Sequence, residues 1–231
     1  MLSNFFNDSK ISEKLEAFKN LLVEKNKEFN LTSITDNKEI YIKHFYDSLS
    51  GEKFISSGAK VVEIGSGGGF PSVPLKILRD DIDFTLIESV GKKCNFLNLV
   101  KNTFNFENFE VKNARCEDLA KDNIYRENFD FSIARAVANL STLCEYMLPF
   151  VKVGGKMIAY KSVNDEEIEN AKNAIDILGG KISEIIKYSL PENMGERYLV
   201  IIEKIKNTPK KYPRGKGKER SKPLWLIKVR Q

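Results

Sequence analysis

The sequence predicts an α/β fold: a doubly wound, largely parallel sheet of seven strands, Rossmann-like, with one antiparallel edge and a small helical N-terminal extension. Three observations predict it. Short apolar runs alternate with helical periodicities from Lys60 onward. The first run, Lys60–Ile64, passes directly into Gly65-Ser66-Gly67-Gly68-Gly69-Phe70, a strand–turn–helix junction of the kind that binds ligands in doubly wound folds. The last two runs, Lys181–Tyr188 and Tyr198–Ile205, have no convincing helix between them and so form the antiparallel edge.

The elements follow in order. Ile11, Leu15, Phe18 and Leu22 recur at helical spacing, which predicts an amphipathic helix over residues 11–28 capped by Ser9 or Ser12. A second helix begins near Thr35 or Asp36 and carries Ile40, His44, Asp47 and Ser48. After Lys60–Ile64, helices are expected over Val73–Arg79 and Gly91–Phe104, the second with Phe96, Leu97, Val100 and Phe104 inward. Strands are expected at Asp83–Glu88, Phe109–Asn113 and Phe129–Ala134. A helix with Leu140, Leu143, Met147 and Leu148 stops before Pro149. Gly154-Gly155 introduces a fifth strand, Lys156–Tyr160. The helix Asp165–Leu178 ends at Gly179-Gly180, a C-cap signal. This gives an extension over residues 1–55, a main domain over 56–206 and a basic tail over 207–231.

Composition excludes several classes. A chain of 231 residues with 42% apolar residues can bury a core, and no apolar run reaches the ~20 residues of a membrane span. Met1–Asp8 lacks the basic-then-apolar layout of a signal peptide. A cytoplasmic protein without membrane association is therefore expected; Cys94, Cys116 and Cys144 are scattered and form no C-x-x-C pair, so neither a disulfide framework nor a zinc site is expected. With His44 as the single histidine, no metal site is expected. The net charge of +5 is uneven. From Lys204 to Gln231 there are eleven Lys/Arg against Glu219 alone, a local charge of +10 on a body of −5. That asymmetry points to a polyanionic partner.

The glycine turn carries the chemistry. Glycines let the backbone turn tightly and approach a ligand without a Cβ between them. Glu88 ends the next strand, placed to accept hydrogen bonds from ribose hydroxyls. The dinucleotide fingerprint requires glycine where Phe70 stands. An acid two residues before the first glycine, followed by G-x-G-x-G, is instead the form of class I S-adenosylmethionine-dependent methyltransferases, which Glu63, Gly65, Gly67 and Gly69 resemble. A ligand-free tight turn and a dinucleotide site are the alternatives.

Several stretches together resemble one family, the bacterial small-subunit ribosomal RNA guanine-N7 methyltransferases (methyltransferase G, glucose-inhibited division protein B). They are Asn30–Ile34, Lys43–Ser48, Gly65–Pro71, Arg115-Cys116-Glu117, Ala134-Arg135-Ala136, Lys204–Pro209 and Tyr212-Pro213-Arg214. The resemblance implies transfer of a methyl group from S-adenosylmethionine to guanine N7 in 16S ribosomal RNA, acting on that RNA or on the small subunit as a monomer. It implies cofactor contacts at Gly65, Phe70, Cys116, Glu117 and Arg135. The sequence departs from the family at Glu88, where aspartate is usual, and at Gly215–Leu224, which keeps part of the Gly-Thr-Pro pattern.

Arg135, at a strand end, is the candidate catalytic residue, bridging cofactor and RNA. Candidate substrate contacts are His44 and Asp47, one helical turn apart, with Lys161, Arg214 and Lys222 as phosphate partners. Guanine N7 has a free lone pair, so no base is required, and none is evident after the fourth strand, where Ala134-Arg135-Ala136-Val137 stands. Tyr212 and Trp225 interleave with the tail cations, a composition suited to RNA. A small-molecule methyltransferase and a non-catalytic RNA-binding protein are the competing readings.

Overall fold

The computed structural model describes residues 8–162 and 165–225. The N-terminal residues 1–7, and Lys228 and Arg230 of the basic tail, lie outside the described residues. The chain divides into two compact units. One runs to Ala114 and includes Ser189–Glu196; the other comprises Arg115–Tyr188 and the chain from Arg197.

In the first unit, α1 spans Ser9–Phe29 and buries Leu15, Phe18 and Leu22. Its cap is Asp8, whose carboxylate accepts the Lys10 and Ile11 amides at 2.9 and 3.2 Å, rather than Ser9 or Ser12. An aspartate at this position satisfies two orphan donors and meets the positive end of the helix dipole. Asn30 (φ 53°) ends the helix in the left-handed conformation. The second helix is broken into three parts: α2 (Asn37–Glu39), a π-helical stretch Ile40–Tyr46, and α3 (Asp47–Leu49), capped by Asp36. Then come β1 (Lys60–Ile64), α4 (Ser72–Leu78), β2 (Asp83–Glu88), α5 (Gly91–Thr103) and β3 (Phe109–Asn113). The strands pair in parallel, with Val61 beside Phe84 and Phe84 beside Phe109.

The second unit holds α6 (Cys116–Leu119), β4 (Phe129–Arg135), α7 (Leu140–Met147), β5 (Val151–Lys161), α8 (Asp165–Ile177), β6 (Gly180–Ser189), β7 (Glu196–Lys204) and α9 (Lys218–Ser221). The seven strands run in the order β3-β2-β1-β4-β5-β7-β6, with β5 and β7 antiparallel. This is the expected doubly wound sheet with an antiparallel edge. The fifth strand departs from expectation, because Gly154-Gly155 lies inside it. A Cβ on Gly155 would fall 2.5 Å from the Asp130 carbonyl, and the β4–β5 register shifts between Phe129 and Phe131. The glycines admit an irregularity within β5 where the sequence suggested a preceding turn. Among the described residues, no helix is long and apolar enough to cross a membrane.

Candidate functional site

The loop after β1 is built by two different uses of glycine. Gly65, Gly67 and Gly69 all have positive φ (68°, 55° and 88°). A Cβ on Gly69 would sit 2.5 Å from Val73 Cγ2, so this glycine lets the turn close on α4. A Cβ on Gly67 would meet only the Gly65 carbonyl, at 3.9 Å. That face of the loop is open. Glu88, at the end of β2, fastens the loop from the side. Its Oε2 accepts the Gly67 amide at 2.9 Å and its Oε1 accepts the Val90 amide at 2.8 Å. Each oxygen keeps a second lone pair, so the carboxylate can hold the loop and still accept from two hydroxyls. Glu63 is fully buried in β1, and the Ser66 hydroxyl is buried without a hydrogen bond. An open glycine, an acid with spare acceptor capacity and an orphaned hydroxyl fit the ribose-bearing cofactor that the sequence pattern suggests.

Phe70 points from this loop into the N-terminal helices of the same unit. Its ring stacks on His44, with centroids 4.3 Å apart and planes 16° apart, and packs against Phe18 and Phe45. Two residues predicted for different partners are therefore neighbours. His44 Nε2 lies 2.8 Å from the Thr32 hydroxyl, which also accepts the Ile34 amide. Asn26 fixes that turn, accepting the Leu31 and Thr32 amides and donating to the Thr32 carbonyl. Thr32 was not singled out by sequence reasoning; the signal was the cluster of short polar residues at 30–35. Asp47 is buried one turn beyond His44, where the π-helical stretch ends, a helix defect often found at functional sites.

The remaining candidates lie in the second unit. Cys116 opens α6, buried, with its thiol 3.5 Å from Glu117 Oε2. Burial, and then the charge of Glu117, push this thiol well above the ordinary cysteine range. It is a neutral thiol at physiological pH, not a nucleophile. Arg135 is the last residue of β4, half-buried, and the next residue, Ala136 (φ 57°), turns the chain away. The Lys161 ammonium lies 2.7 Å from Glu167 and donates to the Ala138 carbonyl at 2.9 Å. Arg214 forms a bidentate pair with Glu145, through Nε at 2.9 Å and Nη2 at 2.7 Å, and this pair raises its pKa. Lys222 is exposed.

As far as Trp225, the basic tail is thus a folded strap rather than a solvated segment. Lys204 is fully buried against the Leu148 and Val151 carbonyls, the Thr208 hydroxyl and Glu127. Glu219, also fully buried, accepts the Gly215 amide, and its carbonyl accepts the Thr142 hydroxyl at 2.7 Å. Lys210, Lys211, Lys216, Lys218 and Arg220 remain exposed beside Lys222. Sequence reasoning missed Glu145 and Glu219. The first had a signal: it is a lone acid in an otherwise uncharged, largely apolar helix.

The fold is that of S-adenosylmethionine-dependent methyltransferases. Such an enzyme from Aquifex aeolicus aligns with a TM-score of 0.55 at 15% identity, over 79% of this chain and 98% of its own. A ribosomal protein L11 methylase from Lactobacillus delbrueckii subsp. bulgaricus gives 0.55 at 12% identity, over 71% and 79%. The chain belongs to the GidB family, rRNA small subunit methyltransferase G, which it matches over residues 11–195. It is 45% identical to the ribosomal RNA small subunit methyltransferase G of Clostridium novyi (strain NT), covering 95% of this chain and 91% of that one. The Lactococcus lactis subsp. cremoris (strain MG1363) protein of the same name is 43% identical, covering 94% of each.

Proposed function

We propose that this protein transfers the methyl group of S-adenosylmethionine to N7 of a guanine in 16S ribosomal RNA. Family membership carries the reading, and the Gly67–Glu88 arrangement supports it. In this reading the open face at Gly67 admits the cofactor, Glu88 accepts from its ribose hydroxyls, and Gly65, Gly69 and Phe70 shape the same loop. Glu63, Cys116, Glu117 and Arg135 complete the cofactor contacts. When bound, the sulfonium supplies an already activated methyl group.

The protein's own task is then alignment. Fixing donor and acceptor in line can lower a barrier by ~7–11 kcal/mol. Guanine N7 needs no deprotonation, which agrees with the neutral Cys116 thiol. Arg135 bridges cofactor and RNA, His44 and Asp47 contact the substrate, and the exposed tail lysines meet phosphates. Lys161 and Arg214 already hold carboxylates, so a phosphate role for either works by sharing or exchanging those partners.

The test is methyl transfer from labelled S-adenosylmethionine to small subunits and to extracted 16S RNA, followed by mass mapping. The expected product is a single N7-methylguanine. Incorporation at any other atom, or into neither substrate, sinks the proposal.

A further inference from the structure

One cavity of the second unit uses none of the residues assigned to the cofactor. It holds about 350 Å³ and is lined by Asn139, Ser141, Glu166, Glu167, Asn170 and Trp225. That volume is at the lower end of the ~300–1,000 Å³ typical of small-ligand pockets. Trp225 is 49% exposed, and its backbone is held in place because Asn173 Nδ2 donates to the Trp225 and Leu224 carbonyls at 3.2 and 3.4 Å. An indole on an anchored backbone, half bare at a cavity, is a stacking platform for a base.

The polar lining selects the kind of base. Asn139 Oδ1 is taken by the Thr142 amide at 2.9 Å, which leaves its NH₂ as a donor. Glu167 is neutralised by Lys161 at 2.7 Å and also accepts the Leu140 amide. Glu166 is exposed at the start of α8 and is the carboxylate left to accept. A carboxylate repels phosphate but matches two adjacent N–H donors. Guanine offers such a pair, N1–H and the N2 amine, with O6 and N7 to accept from an asparagine. Adenine, cytosine and uracil do not present two adjacent donors.

We infer that this cavity binds a guanine of the RNA substrate, stacked on Trp225 with its Watson–Crick edge toward Glu166, as a positioning subsite separate from the methylated base. None of the residues proposed for the cofactor lines the cavity, so the role assigned to the guanine it takes is positioning rather than reaction. Exposed Lys218, Arg220 and Lys222 precede Trp225 in the chain and suit the flanking phosphates. The inference rests on the proposed RNA substrate.

Trp225 is the sole tryptophan of the chain, so its fluorescence reports the site directly. The intact protein is titrated with guanosine, inosine and adenosine 5′-monophosphates. Saturable quenching by the guanine nucleotide is expected, with ~5-fold or weaker binding of the inosine analogue, which lacks the N2 amine. Glu166→Gln should remove that preference while quenching by stacking persists. In parallel, Trp225→Ala should raise KM for RNA and leave kcat with saturating RNA unchanged. Equal quenching by all three nucleotides, or a guanine preference that survives Glu166→Gln, overturns the inference. Methyl transfer to RNA without any Trp225 response overturns the subsite and spares the function. A guanine-selective response without methyl transfer does the reverse.

Discussion

The glycine loop and the basic tail were both prominent in the sequence, yet they differ in how far sequence and structure agree. In the loop, the residues that matter are consecutive, and their roles follow from backbone geometry. Gly69 closes on Val73, while Gly67 stays open and is fastened by Glu88. In the tail, the obvious property was charge, and the structure divides it. Lys204, Lys206 and Arg214 are held by Glu127, Asp176 and Glu145. Lys210, Lys216, Lys218 and Lys222 stay exposed. A local backbone motif can be read from its own residues. A charge run cannot, because the acids that claim its members come from distant parts of the chain.

The loop offers the largest effects. Gly69→Ala combines a strained left-handed residue with a clash against Val73, and should cost about 2–4 kcal/mol. Gly67→Ala meets no neighbour closer than 3.9 Å, so its cost should be ~1–2 kcal/mol from the backbone alone. If the open face is where the cofactor lies, Gly67→Ala should nevertheless weaken S-adenosylmethionine binding at least tenfold. Thermal unfolding and calorimetric titration of the two variants separate these effects. Wild-type affinity in Gly67→Ala would mean that the open face is not the ligand face.

The tail can be divided in the same way. Replacing Lys210, Lys211, Lys216 and Lys218 by alanine should flatten the salt dependence of RNA binding by ~3 in log–log slope, since each phosphate contact contributes ~0.7–0.9. Stability should hardly change. Arg214→Ala should do the opposite. It strands the buried Glu145 carboxylate, so a loss of about 2–4 kcal/mol is expected, with a smaller change in salt slope than an exposed lysine gives because any phosphate contact is shared with Glu145. If all five cations alter the slope equally, the division into structural and available charge is wrong. The same division makes deletion of residues 207–231 a poor test of RNA binding, because it also removes the Thr208 and Arg214 contacts.

Most of the fold was legible. Lys60–Ile64 and Asp83–Glu88 were bounded correctly because largely buried parallel strands read as short apolar runs between turn residues, and the half-exposed edge strand Phe109–Asn113 was also bounded correctly. The fifth strand was read too short, since a glycine pair signals a turn as readily as an irregular strand. The π-helical stretch at Ile40–Tyr46 was not legible, because its side chains show ordinary helical spacing. The strand-end acid Glu88 was found by spacing alone. Its second task, accepting the Gly67 and Val90 amides, depends on a loop conformation that spacing does not describe. His44 and Phe70 were each noticed, but their stacking links segments 26 residues apart in numbering and needed the fold.

The smallest effect concerns the buried anchor of the tail. Burial lowers the Lys204 pKa from 10.5 to about 8, although Glu127 acts in the opposite direction. Between about 8 and 10.5 the unfolded chain therefore binds a proton at this residue that the folded chain has lost. Stability rises with pH wherever the unfolded state binds more protons. The burden of the charged ammonium is thus complete below about pH 8 and disappears above about 10.5. In urea unfolding, the stability of the wild type relative to Lys204→Met should increase with pH across that window, by about 1 kcal/mol per pH unit at most. The comparison cancels tyrosines and other lysines, which titrate alike in both proteins. A difference that falls with pH would mean that Glu127, Thr208 and the Leu148 and Val151 carbonyls outweigh desolvation and hold the proton more tightly than water does. In that case the tail is anchored by an ion pair at every working pH. A rising difference means that Lys204 anchors it chiefly through its hydrogen bonds, despite its charge.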